Sequence, residues 1–291
     1  MFAIQKLRYE LRAGEPIIMH ELVPTVTLRG AFGYAIAQLI ARYDGIAHMA
    51  EKVQIYRQLF MPERQDGLAT VHRDIPRPFL LRGAYSRPDR RSFLLEVILW
   101  GSAIPFEPFV DQVVELVAIM GIGRRNVCCD HQKIVSEAVA TTFPAAVCQL
   151  QVDFLSPVVR LACNGRPLRD SVPFYALFAR FLDRFSEIDR VYGEGYGVPD
   201  EEAYELKQWA RSIHSHVIAL EQVATQRRST RSKQTMELRG FVGSMQYLGD
   251  FDPARKYLGY LPWIHVGHCS TFGCGWTTLH CSSYQHMRET S

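Results

Sequence analysis

The chain contains no apolar run near the ~18 residues that a transmembrane helix needs, and its start, Met1 to Glu10, lacks a signal-like apolar core. Membrane spanning is thereby excluded, and a cytoplasmic location is expected. No C-x-x-C pair occurs, and the seven cysteines, an odd number, favour a reducing interior over a disulfide framework. Cys128-Cys129-Asp130-His131 comes nearest to a metal cluster, but adjacent cysteines alternate sides of a strand, and no second pair stands at zinc spacing. His214 and His216, two apart on a predicted helix, do not share a face. No metal and no cofactor are expected. The G-x-x-x-x-G-K-[ST] loop, the G-x-S-x-G elbow and H-E-x-x-H are all missing, which removes the commonest nucleotide, esterase and zinc-protease readings. Charge of either sign is nearly balanced, at a formal +3, so attraction to a polyanion has to come from local clustering.

What is present suits a globular α+β chain. Its 291 residues, 47% hydrophobic and 22% charged, are enough for two medium domains. Phe2 to Leu11 alternates as a strand and ends at Gly14-Glu15-Pro16. Leu28, Ala31, Phe32, Ala35, Ile36 and Leu39 then follow helical spacing, with Thr27 placed to cap the N-terminus. Pro78 to Gly83 and Phe93 to Trp100 form a hairpin around the turn Ser86 to Arg91. Val110, Val113, Val114 and Val117 mark a helix from Pro108 to Met120, and an extended run reaches Val139 after Gly121-Ile122-Gly123. The order β-α-β-β-α-β predicts a ferredoxin-like unit over residues 1–142.

The second domain is expected over 143–291. Leu150 to Leu161 reads as a strand interrupted at Ser156-Pro157, and Phe174, Leu177, Phe178, Phe181, Leu182 and Phe185 as a helix. A further helix is expected over Glu201 to Val223. The run Gln226 to Lys233, Q-R-R-S-T-R-S-K, places Arg227, Arg228, Arg231 and Lys233 close together. Leu238 to Cys281 then forms a Gly-marked stretch in which Gly267, Gly273 and Gly275 surround His265, His268, Ser270 and Thr271. Glycine permits positive φ and close backbone approach, so successive amides there can face a phosphate. The same pattern also suits plain turn chemistry. No repeat of fixed period is present, yet both halves combine strands with two helical segments, consistent with structural duplication.

Four blocks together resemble a known family: P-T-V-T-L-R-G-A-F-G-Y-A-I (Pro24 to Ile36), G-I-G-R-R-N-V (Gly121 to Val127), V-D-F-L-S-P-V-V-R-L with F-Y-A-L-F-A-R-F-L-D-R-F (Val152 to Phe185), and the basic run leading through G-F-V-G to G-H-C-S-T-F-G-C-G-W. In order and spacing they are similar to the CRISPR-associated endoribonuclease Cas6, of the RAMP superfamily. The resemblance implies two tandem ferredoxin-like, RRM-related domains with an RNA-binding cleft between them. It implies metal-independent cutting of CRISPR repeat RNA by attack of a ribose 2′-OH on the adjacent phosphate, leaving a cyclic phosphate on the mature crRNA. Subunits of a CRISPR effector complex are the implied protein partners.

Many members of that family carry a Tyr on the first helix, a His beyond it and a Lys shortly after. Tyr34, His48 and Lys52 stand in that order and are the implied catalytic set, an imidazole titrating near neutrality beside a cation for the developing charge. Some relatives place His after L-R-G-A-F-G, where this chain has Tyr34. Other members lack a catalytic His, which would bring Arg228 and Arg231 forward, and His265 and His268 beside the Gly-rich loop are a further alternative. RNA contact is expected from Arg124, Arg125, Arg227, Arg228, Arg231, Lys233, Gly267, His268, Ser270, Thr271, Gly273 and Gly275, with Tyr247, Phe272 or Trp276 available to stack unpaired bases. A guide-binding subunit with a degenerate site, and an α+β enzyme binding a small phosphate compound, are the competing readings.

Overall fold

A computed structural model describes residues 1–42, 76–163, 165–228 and 235–283. The chain divides into two compact units. The first comprises Met1–Val139, Glu187–Gly195 and Thr271–Gly273; the second comprises Ala140–Ser186, Tyr196–Ser270 and the chain from Cys274 onward. No described helix is long and apolar enough to cross a membrane.

In the first unit the elements run β1 (Ile4–Arg12), α1 (Thr25–Arg42), β2 (Phe79–Tyr85), β3 (Ser92–Trp100), α2 (Glu107–Met120) and β4 (Asp130–Ala138). Its sheet is antiparallel throughout, in the order β2-β3-β1-β4. Alternation along β1 sends Leu7, Tyr9 and Leu11 to one face. There they bury against Leu28, Phe32, Ala35 and Ile36 of α1 and Val110, Val113, Val114 and Val117 of α2. Tyr9 also carries a polar tether, since its hydroxyl donates to Asp111 Oδ1 at 2.6 Å and so ties β1 to α2. Lys133 of β4 bonds both Glu107 and Asp111 of that helix. This is the β-α-β-β-α-β ferredoxin-like arrangement expected from the sequence. Thr27 is exposed and does not start α1. The helix begins two residues earlier, where the amides of Val26 and Thr27 donate to the carbonyls of Val23 and Pro24.

The second unit contains β5 (Val147–Val159), a short hairpin of β6 (Ala162–Cys163) and β7 (Arg166–Pro167), α3 (Phe174–Tyr192), α4 (Asp200–Trp209), β8 (His214–Arg228), β9 (Thr235–Leu248), the single turns α5 (Arg255–Leu258) and α6 (Leu261–Ile264), and β10 (Thr277–Ser283). From Glu187 on, α3 groups with the first unit. The antiparallel order β10-β5-β9-β8 repeats that of the first sheet, with last, first, third and second long strands side by side. The α3 phenylalanines are core. Phe174 and Phe178 stack at 5.5 Å, and Trp209, Tyr247 and Phe251 pack around them edge-on.

The helix predicted over Glu201 to Val223 stops at Trp209, a 3-10 turn follows at Ala210–Ser212, and β8 takes the rest. Pairing with β9 from His214↔Leu248 to Arg228↔Thr235 decides that outcome. β8 is an edge strand with Val217 and Ile218 exposed, so it lacks the period-two burial by which strands are recognised. His214 and His216 consequently share a face of a strand, not of a helix.

Candidate functional site

The Gly-rich stretch is built by main-chain bonding onto the irregular middle of β5. Pairing of β5 with β9 shifts register between Phe154 and Val158, around Ser156-Pro157. Into that step come the flanks of the loop. The Gly275 amide donates to Pro157 O at 2.9 Å, the Trp276 amide to Ser156 Oγ at 2.9 Å, and Leu155 N–H to Trp276 O at 2.8 Å. On the entry side the His268 amide donates to Val159 O and Val266 N–H to Gly275 O. Gly275, at φ 76°, has no room for a side chain, because a Cβ would lie 1.8 Å from Val266 O. Gly267 likewise approaches Val159 O.

The two loop histidines have different surroundings. His265 is fully buried, and its Nδ1 lies 3.0 Å from Cys274 O; since a carbonyl only accepts, the ring donates and holds the loop closed. His268 is exposed. Ser270 and Thr271 are buried.

The tip, Thr271–Gly273, groups with the first unit. There the Thr25 hydroxyl donates to Phe272 O at 2.7 Å, and the Arg29 guanidinium carbon lies 4.7 Å from the centre of the Phe272 ring. Gly273, at φ 90°, packs so closely that a Cβ would meet Thr25 Oγ at 2.1 Å and Leu81 O at 3.0 Å. Much of the glycine pattern is therefore accounted for by the chain approaching itself.

Elsewhere in the first unit Tyr34 projects from α1 and is 58% exposed. Arg124 and Arg125 are exposed on the Gly121–Val127 turn, with the Arg124 amide donating to Ile18 O and the Arg125 side chain 3.9 Å from Glu15. Sequence reasoning passed over His20, in the turn that leads into α1. Its Nδ1 accepts the Val23 amide at 3.2 Å, which leaves the proton of the neutral ring on Nε2. Burial lowers its pKa, the Arg124 charge acts in the same direction, and Glu21 opposes both. His20 stands five residues before the start of α1.

In the second unit β8 and β9 run on past the last pairing of β9 with β5, Val159↔Gly240. The pairs from Ala224↔Arg239 to Arg228↔Thr235 thus form a two-stranded arm, with the backbones of Arg227 and Arg228 at its far end. Arg231 and Lys233 lie outside the described residues, as do His48 and Lys52. Of the three aromatics expected to stack bases, Tyr247 is excluded by burial: it is fully enclosed against Phe174, and its hydroxyl donates to Val172 O. Phe272 and Trp276 are half-buried. Among the described residues no group of three His, Cys, Asp or Glu side chains is placed to hold a metal ion.

Comparison with known proteins joins these features. A family model described as CRISPR-associated endoribonuclease Cas6 matches residues 152–277, the segment that carries the arm and the Gly-rich loop. A second model, described as an N-terminal domain, matches residues 2–155. No curated protein sequence matches. Among solved structures, a Cas6 product complex aligns over 96% of this chain and 99% of its own, at TM-score 0.61 and 15% identity. Thermus thermophilus Cas6 aligns over the same shares at TM-score 0.55 and 14% identity. At such identities the structural likeness is one of fold, and it agrees with the two sheets of matching strand order. Residues 152–277 thus match the family of CRISPR-associated endoribonuclease Cas6, and the chain as a whole shares the fold of solved Cas6 structures.

Proposed function

We propose that this protein binds CRISPR repeat RNA and cuts it without a metal ion, by attack of the ribose 2′-OH on the adjacent phosphate. The 2′ oxygen forms a bond to phosphorus, the bond from phosphorus to the 5′ oxygen of the next nucleotide breaks, and the products are a 2′,3′-cyclic phosphate and a 5′-OH end. The observation that carries this reading is the match of the endoribonuclease model to the segment holding the basic arm and the Gly-rich loop. Attack of this kind needs a proton acceptor at the 2′-OH, a donor at the leaving oxygen and cationic or N–H groups around the phosphorane.

His48 is the proposed base, with Lys52 stabilising charge and Tyr34, exposed on α1, contributing its hydroxyl. Arg124, Arg125, Arg227, Arg228, Arg231 and Lys233 bind the RNA backbone, and Gly267, His268, Ser270, Thr271, Gly273 and Gly275 form the loop that lies against it. The product crRNA stays bound for transfer to an effector complex.

The test is incubation of the protein with its own locus's repeat RNA in excess EDTA, beside a copy bearing one 2′-deoxy nucleotide before the cut. Cleavage of the first copy alone is expected, with loss of cleavage in His48→Ala. Tight binding of both RNAs without cleavage of either would replace this reading with that of a guide-binding subunit. Loss of cleavage in EDTA, restored by added divalent cation, would refute metal independence.

A further inference from the structure

We infer that Thr25 and Arg29, at the start of α1, are positioning residues that hold the tip of the Gly-rich loop in the conformation that engages RNA. The inference rests on the RNA-processing reading above and assigns part of that site to two residues outside its expected contact set.

A threonine at the first position of a helix ordinarily offers its oxygen to a first-turn amide. Thr25 does something else. The Val26 and Thr27 amides are already taken by the Val23 and Pro24 carbonyls. The Thr25 oxygen therefore has no first-turn amide to accept from, and its hydroxyl donates to Phe272 O at 2.7 Å in a setting where Thr25 is only 2% exposed. Little water is there to replace the bond once it is broken.

Arg29 stands one helical turn further on, on the same face as Thr25, with its guanidinium over the Phe272 ring. Gly273 completes the arrangement by letting the backbone come within reach of Thr25 Oγ. Three interactions therefore converge on one dipeptide. In a trans peptide the C=O and the following N–H point in opposite directions. Fixing Phe272 O on Thr25 thus fixes the whole Phe272–Gly273 plane, and with it the path of the loop.

The experiment compares wild type, Thr25→Val, Thr25→Ser and Arg29→Ala in two measurements: amide exchange of segment 269–275 without RNA, and affinity for repeat RNA over a range of salt concentrations. Valine keeps the shape of threonine and removes the donor; serine keeps the donor. Thr25→Val is expected to exchange about tenfold faster in that segment and to bind RNA about five- to tenfold more weakly, the size of one buried hydrogen bond. Its salt dependence should equal that of wild type, because no phosphate contact is lost. Thr25→Ser should recover both properties, and Arg29→Ala should follow Thr25→Val.

Unchanged exchange in Thr25→Val, equal impairment in the valine and serine variants, or a loosened loop with undiminished RNA affinity would each overturn the inference. A salt slope reduced by about one in Arg29→Ala would make Arg29 a phosphate ligand instead. If wild type fails to bind repeat RNA, the RNA reading falls and this role falls with it, while the exchange data still report whether the latch exists.

Discussion

The two units share a strand order and differ in what connects their third long strand to the fourth. In the first unit that connection is α2, fourteen residues whose valines lie on the sheet and whose backbone bonds are satisfied within the helix. In the second, two single turns and the Gly-rich loop occupy the same place between β9 and β10. Loop amides and carbonyls have no helical ladder, so they find partners on β5 at Leu155, Pro157 and Val159. The comparison shows how one topology supplies both a packed helical layer and a loop bonded to a neighbouring strand. Where the helix is kept, the connection is packing; where it is lost, the backbone is shaped by tertiary bonds.

The strongest test of this contrast removes packing where the second unit has most of it. Phe178→Ala deletes a buried ring from the cluster of Phe174, Phe181 and Trp209, and is expected to cost about 3–5 kcal/mol, read from a urea unfolding curve. A smaller effect is expected when the loop itself is strained. Gly275→Ala forces a Cβ into Val266 O at positive φ, and a loss of about 1–3 kcal/mol with impaired RNA binding should follow. Wild-type stability in that variant would show that the loop bends freely, which would break the distinction drawn between bonded loop and helix.

In the first unit, Tyr9→Phe removes the donor that ties β1 to α2 through Asp111. A cost of about 1.5–3 kcal/mol is expected, as for hydrogen bonds to charged groups, with RNA cleavage by the folded protein unaffected. The smallest effect concerns His20. Its pKa in the folded protein lies below the ordinary value of 6.5, so the unfolded chain binds the extra proton first. Its contribution to stability is then present above pH ~6.5 and lost as pH falls through the folded pKa. His20→Asn should flatten the acid side of the stability profile slightly and leave the alkaline side unchanged.

Much of this architecture was legible in the sequence, for identifiable reasons. The valines of α2 and the phenylalanines of α3 follow helical spacing because each helix buries one face only, and the β2–β3 hairpin announced itself through its Arg/Pro/Asp turn. β8 does not announce itself as a strand, because an edge strand with exposed Val217 and Ile218 shows no alternation, and its identity comes from pairing with β9. At the site, the glycines were found by spacing, but their reason was not. Gly273 is required by Thr25 and Leu81, nearly two hundred residues or more away in sequence. His265 and His268 look alike in the sequence, and burial alone makes one a strut and leaves the other at the surface.

By itself the sequence determined the α+β class, the order of elements in the first unit, the resemblance to a family of RNA-cutting enzymes and the place of the Gly-rich loop. These follow from local spacing and motif, which act over a few residues. Only the tertiary structure decided that Tyr247 is core, that β8 is a strand, and that Thr25 and Arg29 meet Phe272. The physical reason is that burial, strand pairing and the partner of a hydroxyl are set by groups distant along the chain, and no window of neighbouring residues contains them.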